Sequence, residues 1–451
     1  MQQDRIGKYR WVIVSLLFFS TTINYADRQV ISYLKILLCG TKSEGGFGWT
    51  NSDYSTVTGF FILSYSGLVV LVGLVIDKIG TKLGLALSLI VWSVFGMLNA
   101  FAGASVAMNA VIRSLFGLGE AGNFPASVKT VAEWFPKKER ALATGIFNSG
   151  TSVGTMIAAL FVPWCLFHFG DAEGYKMAYL LTGGIGFIWL IFWFLMYDSP
   201  SGSKRISKAE FDYIHSDEVV HAAPSEDVTA QETKVSWFKL LSFPQTWSFF
   251  MGKFLTDGVW YFLLFWLPDY LHKQFGMSTE QLKWPTFIVY GISILGNIFG
   301  GSLPLFFINK FGMPVYKARM TAMFIVALLP MVLLSTQYFG NKDVFGANAS
   351  ILAIVVLCIG AAAHQAWSSN LFTTVSDFFP KKTVGAVVGI GSLGGGIGGF
   401  LIQKVVGKLT DVYAATPHVA YTILFTFCAF VYLVAWLVIR GLTNNRKPIV
   451  I

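Results

Sequence analysis

Ionisable residues stand inside several apolar stretches of this sequence, where a charge is costly to bury and is therefore a candidate for chemistry. The first apolar stretch ends in INYADR, which places Asp27 directly beside Arg28. Arg113 and Glu120 are seven positions apart in a later stretch, a spacing that puts both on one face of a helix. Two carboxyl and two guanidinium groups in apolar surroundings are expected to form one network.

The chemistry that these groups offer is the binding of an anion and a proton. Arginine recognises a carboxylate through two parallel hydrogen bonds, a geometry that lysine and hydroxyl groups lack. A buried carboxylate beside a movable cation can take up and release a proton, because burial disfavours the charged form and the cation favours it. The alternative is a structural ion-pair network that holds the first half of the chain together. The two interpretations are compatible.

The composition indicates an integral membrane protein. Of the 451 residues, 54% are hydrophobic and 13% are charged, whereas about 25% of the residues of a soluble domain are charged. The net charge of +9 is spread over short basic clusters between apolar stretches, which favours orientation in a lipid bilayer over a nucleic-acid partner. The sequence has four widely spaced cysteines, no ATP-binding motif and no nucleophile–base pair. We therefore expect no metal, no cofactor and no enzyme activity.

Apolar stretches of about 20 residues can cross a bilayer as helices, and the chain contains twelve candidates. They lie near 11–38, 54–76, 83–103, 106–131, 140–168, 177–197, 244–270, 284–309, 318–338, 349–372, 383–407 and 418–440. A polar linker at 200–241 separates an N-terminal six-helix bundle, residues 1–199, from a C-terminal six-helix bundle, residues 242–451. The expected fold is an all-α membrane protein with twelve transmembrane helices.

Lysine and arginine residues concentrate in the loops that share a side of the membrane with the two termini. The positive-inside rule therefore places both termini and the central linker in the cytoplasm. The expected protein is a multi-pass component of the cell inner (plasma) membrane. We expect a monomer, because one chain supplies both bundles.

One short pattern occurs twice, as TVAEWFPKK at 130–138 and as TVSDFFPKK at 374–382, with six of nine positions identical. Each copy follows an apolar span and precedes a glycine-rich one. The same offset makes Glu120 the counterpart of His364. The repeat predicts two pseudo-symmetric halves, with a substrate site between them near the middle of the membrane.

The loop between spans two and three, GLVIDKIGTK at 73–82, fits the pattern Gly-x-x-x-Asp-[Arg/Lys]-x-Gly-x-[Arg/Lys]. With twelve spans and the internal repeat, this loop makes the whole chain resemble the major facilitator superfamily. The Asn-Tyr-Ala-Asp-Arg motif of span one and the Arg…Gly-x-x-Glu-Ala pattern of span four resemble its anion:cation symporter family. The segments GKFLTDGVWYFLLFWLP at 252–268 and AHQAWSSNLFTTVSDFFPKKTVGAVVGIG at 363–391 look like those of bacterial hexuronate transporters. Gly258 departs from the proline expected there.

The resemblance implies a proton-coupled secondary transporter that imports a sugar-acid anion by alternating access. A hexuronate such as glucuronate or galacturonate is the implied substrate, and the proton gradient is the implied energy source. Asp27 and Glu120 are the implied proton-coupling acids. The implied substrate-binding residues are Tyr25, Arg28, Tyr65, Arg113, Lys253, His364, Trp367, Ser368 and Asn370. The implied gating residues are Asp77, Lys78, Lys82, Glu133, Arg140 and Asp377.

Several of these expectations have alternatives. Trp367 could pack or anchor a helix at the membrane interface, His364 could bond a neighbouring helix, and Lys253 could extend its amine to the membrane surface. The same fold could carry another organic anion, such as an aldonate (galactonate, for example), an aromatic acid or a phosphate ester. A non-transporting membrane sensor is a further alternative, although the central linker is short for a sensing domain.

Overall fold

The computed structural model describes residues 7–216, 237–444 and 449, and these residues form helices and loops without a β-strand. Twelve helices of this described part cross the membrane region, as the hydropathy pattern predicts. They are α1 Tyr9–Cys39, α2 Asn51–Ile79, α3 Thr81–Leu98, α4 Val106–Glu120 continued by Asn123–Trp134, α5 137–169, α6 171–196, α7 Pro244–Phe275, α8 Lys283–Phe311, α9 Val315–Leu328 continued by 329–339, α10 Ala349–Phe378, α11 Lys381–Val412 and α12 Pro417–Thr443.

Length and composition alone identify eight helical segments of the described chain that could cross a membrane. One of them, Leu142–Met196, contains two spans, because Gly170 adopts a φ of 73° that interrupts the helix between α5 and α6. α1 and α7 carry ionisable residues, which lower their hydropathy, and α4 is interrupted at Ala121 and Gly122. The three helices that composition misses, α1, α4 and α7, carry Asp27, Arg28, Arg113, Glu120 and Lys253.

The two copies of the repeated segment form the same backbone turn. Pro136 precedes α5 with φ −61° and ψ 152°, and Pro380 precedes α11 with φ −63° and ψ 147°. The preceding residues Phe135 and Phe379 are extended in both copies. Proline is tolerated beside a helix start because the first amide groups of a helix have no partner within the helix. The repeat therefore builds the same corner twice, once in each half.

The two six-helix halves meet through three pairs of helices: α2 with α11, α5 with α8, and α1 with α7. Small residues allow the close approach, since Gly407 of α11 lies against Ser55 of α2, and Gly59 of α2 lies against Phe400 of α11. These contacts lie toward the end of the molecule that holds the loop 40–50. We call this end the loop end.

The opposite end holds the first described residues and the described parts of the linker, and we call it the terminal end. Toward this end a Cβ added at Gly67, Gly145 or Gly385 would meet no described atom within 4 Å, and the hydrogen bonds and ion pairs described between the halves lie at the loop end or near the middle of the helices. Ser66 of α2 still packs against Gly396 of α11, so the separation of the halves begins beyond the middle of these helices. The structure is therefore closed at the loop end and open toward the terminal end.

Part of the predicted linker packs on the N-terminal half. Its helix Lys208–Ile214 brings Glu210 to Arg10 of α1, whose Nη1 lies 3.3 Å from the carboxylate. Nε of Arg10 donates to Glu139 of α5 at 2.8 Å. The predicted bundles and linker also include segments outside the described residues, namely 1–6, 217–236, 445–448, 450 and 451.

Candidate functional site

The centre of the N-terminal half holds a buried ion pair between α1 and α4. Arg28 donates from Nε to Oε2 of Glu120 at 2.8 Å, and its Nη2 lies 2.8 Å from the same oxygen. Both residues are at most 2% exposed. Glu120 ends the first segment of α4, and Gly119 beside it packs against the backbone of Trp92 in α3. A larger residue would not fit at Gly119, so this glycine helps to position the carboxylate.

Two tyrosines enclose the guanidinium group of Arg28. Its Cζ lies 4.3 Å from the ring centre of Tyr25 and 4.4 Å from that of Tyr65, while the ring of Phe61 is 5.3 Å away. Such cation–π contacts hold the flat cation without using its hydrogen-bond donors. Tyr25 and Tyr65 are half-buried, whereas Phe61 is buried. Both tyrosines thus lie against the cation that is predicted to bind the substrate.

Arg113 of α4 contacts a residue that the sequence does not suggest. Its Nη2 donates to the hydroxyl of Tyr179 on α6 at 3.1 Å, and Arg113 is 1% exposed. Of the four residues of the predicted network, Arg28 thus bonds Glu120 and Arg113 bonds a neutral tyrosine, while the charge of Arg113 still acts on Asp27 and Glu120. Tyr179 is uncharged in an apolar span, so the sequence gives no signal for it.

Asp27 is the least satisfied charged residue of the site. It is 3% exposed; Thr182 of α6 and Trp92 of α3 lie near its carboxyl group, but neither carboxyl oxygen meets the geometry of a full hydrogen bond among the described residues. Glu120 and Arg113 are the charged groups that act on it electrostatically. A carboxyl group in such surroundings lacks the partners that a permanent charge requires. This setting is consistent with a group that exchanges a proton.

The C-terminal half holds a second embedded ion pair, within α7. Nζ of Lys253 lies 2.6 Å from Oδ2 of Asp257, one turn along the helix, and 4.7 Å from the ring centre of Phe372 on α10. Asp257 packs against Gly395 of α11, where any side chain would collide with the carboxylate. α7 continues as a helix through Gly258, where proline is expected from the family pattern. Lys253, a predicted substrate ligand, thus already has a matching anion.

His364 and Trp367 of α10 make contacts inside the C-terminal half. Nδ1 of His364 shares a 2.8 Å hydrogen bond with the hydroxyl of Tyr432 on α12, and its ring stacks on Trp260 of α7 at 5.1 Å. Trp367 is fully buried and packs edge-on against Tyr432 at 5.5 Å. These contacts fit the structural alternatives for both residues, and their role in substrate binding stays a prediction. Trp260, which is only half-buried, was not predicted as a site residue.

Asn370 and Ser368 lie on different faces of α10. The Asn370 amide donates to the carbonyl oxygens of Gly300 and Ala366 at 2.7 and 3.0 Å, and its Oδ1 accepts from Arg319 at 3.4 Å. These bonds connect α10 to α8 and α9. Ser368 is half-buried. A contact of either side chain with substrate stays a prediction.

The predicted gating residues make their bonds within their own halves. The contacts are Asp77 with Lys129 at 2.9 Å, Lys82 with Asp198 at 2.6 Å, Glu133 with Thr81 and Tyr197 at 2.8 Å, Arg140 with the carbonyl oxygens of Phe135 and Ala132 at 2.8 Å, and Asp377 with Arg319 at 2.6 Å. Lys78 is exposed. Because the terminal end is open, a locking contact between the halves at this end stays a prediction.

A polar cluster that the sequence does not predict closes the loop end. The fully buried Lys35 of α1 places its amine 2.6 Å from Oδ1 of Asp269 on α7, and it donates to Asn51 of α2 at 2.8 Å. Asp269 also lies 3.3 Å from Lys273 and accepts from the hydroxyl of Tyr421 at 2.6 Å. Lys35 and Asp269 belong to different halves, so their pair joins the two halves directly.

A carboxylate of α11 caps the start of α2 across the same interface. Asp411 accepts hydrogen bonds from the backbone amides of Asn51 and Ser52, both at 2.8 Å. One half thus supplies the anion that the positive end of a helix in the other half prefers. Nearer the middle of the membrane, the fully buried Gln403 of α11 accepts from Thr58 of α2 at 3.0 Å. Closure at the loop end therefore depends on buried polar contacts.

The central site offers groups that bind and exchange ions. Arg28 and Arg113 each hold a partner, a carboxylate or a hydroxyl, that the carboxylate of a ligand could replace, and Lys253 is paired with Asp257. Asp27 and Glu120 are buried carboxyl groups beside these cations. Within the described ranges, no group of three or more His, Cys, Asp or Glu side chains is placed to hold a metal ion. The arrangement suits recognition of a small anion.

Known proteins share the sequence pattern of this chain. The family model of the Major Facilitator Superfamily matches residues 17–403. A hexuronate transporter of Escherichia coli (strain K12) is 29% identical over 437 residues, which cover 97% of this chain and 95% of that protein. A D-galactonate transporter of Escherichia coli O6:H1 is 26% identical over 424 residues, which cover 92% of each protein.

A solved structure shares the fold. It is the crystal structure of a bacterial homolog of the human lysosomal transporter Spinster, in an inward-facing and unoccupied conformation. The TM-score is 0.73 at 19% identity, and the match covers 98% of this chain and 99% of that one. At this identity the likeness concerns the fold alone, and with the apolar helices it establishes a multi-pass membrane protein. The chain belongs to the Major Facilitator Superfamily, a family of membrane transporters rather than enzymes.

Proposed function

We propose that this protein is a proton-coupled symporter that imports a sugar-acid anion, and that the anion is a hexuronate such as glucuronate or galacturonate. The observation that carries the proposal is the setting of Arg28, a buried guanidinium group held by Glu120 and enclosed by two half-buried tyrosines. Arginine can bind the carboxylate through two hydrogen bonds, and the tyrosines offer flat faces and hydroxyls to a sugar. The 29% identity to a hexuronate transporter supports the substrate class.

Arg28 links anion binding to proton uptake. In the structure its guanidinium group is bound by Glu120. A substrate carboxylate competes with Glu120 for the same donors, and the displaced glutamate is then a buried anion without its cation. Protonation removes the cost of that charge. Binding of the anion therefore favours binding of a proton in the same half.

Asp27 offers a second place for a proton. Its two oxygens make no full hydrogen bond to the nearby Thr182 and Trp92, and the charges of Glu120 and Arg113 act on it. A proton on Asp27 leaves Arg113 able to turn from Tyr179 to the substrate. Release of the proton gives Arg113 an anionic neighbour again, which disfavours the bound substrate. The protonation of Glu120 and Asp27 thus determines whether Arg28 and Arg113 are available to bind the substrate.

Transport proceeds by alternating access between the halves. With both termini in the cytoplasm, as the basic loops predict, the open terminal end faces the cytoplasm and the closed loop end faces outward. The state described here is then the one that releases substrate and proton inward. One chain contains both halves and the site between them, so a monomer in the cell inner membrane suffices for the cycle.

An aldonate such as galactonate is the alternative substrate that a specific observation favours, namely the 26% identity to a D-galactonate transporter. An aldonate has the same carboxylate on an open chain of hydroxyl groups. The ion pairs of the site would recognise its carboxylate in the same way. Discrimination between the two classes therefore depends on the groups that face the rest of the sugar.

Uptake of radiolabelled galacturonate and glucuronate into proteoliposomes tests the proposal. An inward proton gradient is expected to drive accumulation above equilibrium, and its dissipation is expected to reduce uptake to equilibration. Unlabelled galactonate, benzoate and glucose 6-phosphate are the competitors, and we expect each to compete less well than an unlabelled uronate. A folded protein that accumulates neither uronate would contradict the substrate assignment. Stronger competition by galactonate would replace the hexuronate with an aldonate.

A further inference from the structure

We propose that Asp257 is a specificity-determining residue, which restricts the site to sugar acids with one carboxylate by neutralising Lys253. The inference rests on the proposed function and narrows its substrate class. It accounts for an embedded acid that neither the proton-coupling nor the carboxylate-binding residues include. A sugar acid with carboxylates at both ends, such as galactarate, is the ligand class that Asp257 would exclude.

The geometry keeps the ion pair of Lys253 and Asp257 intact throughout the transport cycle. Lys253 and Asp257 lie one turn apart on α7, with 2.6 Å between Nζ and Oδ2. A rigid movement of one half against the other leaves two residues of one helix turn in place. The pair of Arg28 and Glu120 differs, because it joins two helices and can separate when α1 or α4 shifts. Lys253 therefore stays matched whether or not substrate is bound.

Asp257 also lies close to the carboxylate-binding region. Tyr261, one turn further along α7, packs its ring against Gly399 of α11, and Ile62 of α2 lies against the same glycine. The same tyrosine is near enough to both Asp257 and Arg28 to interact with their charges. Both ion pairs therefore lie within electrostatic range of one tyrosine. A six-carbon acid with one end at Arg28 brings its other end toward α7.

Among the described groups whose charge acts on Asp257, Lys253 is the one cation. Lys253 is the cation that pairs with Asp257, and the tyrosines Tyr261 and Tyr432 interact with its charge. His364 lies near enough to Lys253 for their charges to interact, and it already bonds Tyr432. The side chains of Lys253 and Asp257 are 11% and 16% exposed. They are thus more accessible than Arg28 and Glu120.

The charge of Asp257 affects how many carboxylates a bound ligand can carry, because the charges in the site must balance. The embedded groups around the site are three cations and three carboxyl groups: Arg28, Arg113, Lys253, Asp27, Glu120 and Asp257. With all six ionised, their charges sum to zero. One bound carboxylate and one proton restore neutrality, whereas an acid with two carboxylates would require two protons. Unbalanced charge in a membrane interior is strongly disfavoured.

Replacing Asp257 by asparagine should admit the second carboxylate. The asparagine keeps the size of the side chain against Gly395 and leaves the amine of Lys253 without its anion. A carboxylate of the ligand can then form the charge-assisted bond that Asp257 formed. We expect the galactarate concentration that halves galacturonate uptake to fall roughly tenfold or more in this variant, since such bonds are among the stronger ones in proteins.

The experiment measures inhibition of galacturonate uptake by galactarate in proteoliposomes for wild type, Asp257→Asn, Asp257→Glu and Glu280→Gln. Glu280 pairs with Lys283 at the loop end, outside the site, and its variant is the matched control for loss of one acid. Inhibition by galactarate should strengthen in Asp257→Asn alone. Adding Lys253→Gln to Asp257→Asn should remove the gain. Thermal stabilisation of the purified variants by galactarate gives a second measurement that does not require transport.

The outcomes separate this inference from the proposed function. If wild type accumulates uronate and Asp257→Asn gains neither inhibition nor stabilisation by galactarate, the inference is overturned and the symporter remains. A gain that persists without Lys253 also overturns it. Failure of wild type to bind or transport either uronate overturns both. If Asp257→Asn does not fold, Asp257→Ser tests the same removal of charge.

Discussion

The guanidinium group of Arg28 is held by contacts that differ in how readily a ligand can replace them. Its tyrosine rings stay in place by packing, while its carboxylate partner uses one oxygen, and Glu120 Oε1 has no hydrogen-bond partner among the described atoms. A substrate can therefore displace Glu120 without rebuilding the pocket. Ionisable residues in apolar spans predict which residues form the site. They do not predict partners such as Tyr179, because an uncharged residue gives no such signal.

Lysine at position 28 tests the geometry of the arginine at constant charge. Arg28→Lys keeps a cation for Glu120 but loses the paired donors and the flat face between Tyr25 and Tyr65. Loss of charged hydrogen bonds worth about 1.5–3 kcal/mol should raise the KM for uronate roughly 10- to 100-fold. Uptake kinetics at matched levels of folded protein provide the measurement. An unchanged KM would contradict the role of Arg28 as the carboxylate ligand.

The bond between Tyr179 and Arg113 can be tested against a neighbour on the same helix. Tyr179→Phe removes the hydroxyl that Arg113 binds, and Tyr175→Phe removes a hydroxyl that binds the carbonyl oxygens of Asn99 and Ala100. Each change should lower the free energy of unfolding by about 1–3 kcal/mol. We expect Tyr179→Phe alone to change the KM for uronate. Equal effects of both variants on uptake would assign Tyr179 a purely structural role.

Breaks within helices and close contacts between helices position the site residues. The prediction treats 106–131 as one span, but α4 breaks at Ala121 and Gly122, directly after Glu120. Gly122 packs tightly against Ser88 of α3, so glycine is required there for contact rather than for a turn. The repeated FPKK corners are predicted correctly because both copies carry the same local signal. The contact of Lys35 with Asp269 has no local signal, since it joins α1 to α7.

Asp269→Asn should weaken closure of the loop end. Breaking a buried ion pair costs about 3–5 kcal/mol. Each 1.4 kcal/mol by which this destabilises the conformation closed at the loop end raises the ratio of open to closed molecules about tenfold. A cysteine at Ser55, buried against Gly407, reports opening through its reaction with a membrane-impermeant maleimide. In a background without the native cysteines, labelling should be faster with Asp269→Asn. The control Glu280→Gln should label at the original rate.

An unchanged labelling rate in Asp269→Asn would contradict the role of the Lys35 pair in closure. Lys35→Met, which removes the other partner, should have the same effect as Asp269→Asn. The two changes together should cost less than the sum of both, because they remove one shared contact. Additive effects would show that the two residues act separately.

The whole molecule combines a symmetric scaffold with an asymmetric site. Hydropathy and the internal repeat predict twelve spans and two related halves, because both depend on patterns along the chain. The charges break the symmetry: the counterpart of Glu120 is His364, which bonds Tyr432 instead of a cation. The pair in the C-terminal half lies within one helix, whereas the pair in the N-terminal half joins two. Proton coupling is therefore expected in the N-terminal half.

The measurement that tests this claim most directly compares exchange with net uptake in Asp27→Asn and Glu120→Gln. Proteoliposomes are loaded with unlabelled galacturonate for exchange, or left empty under an inward proton gradient for net uptake. Both variants should still exchange labelled for unlabelled substrate, because the arginines remain, and both should lose accumulation driven by the gradient. Gradient-driven accumulation at the wild-type level in both variants would contradict proton coupling through these acids and leave them as a structural ion-pair network.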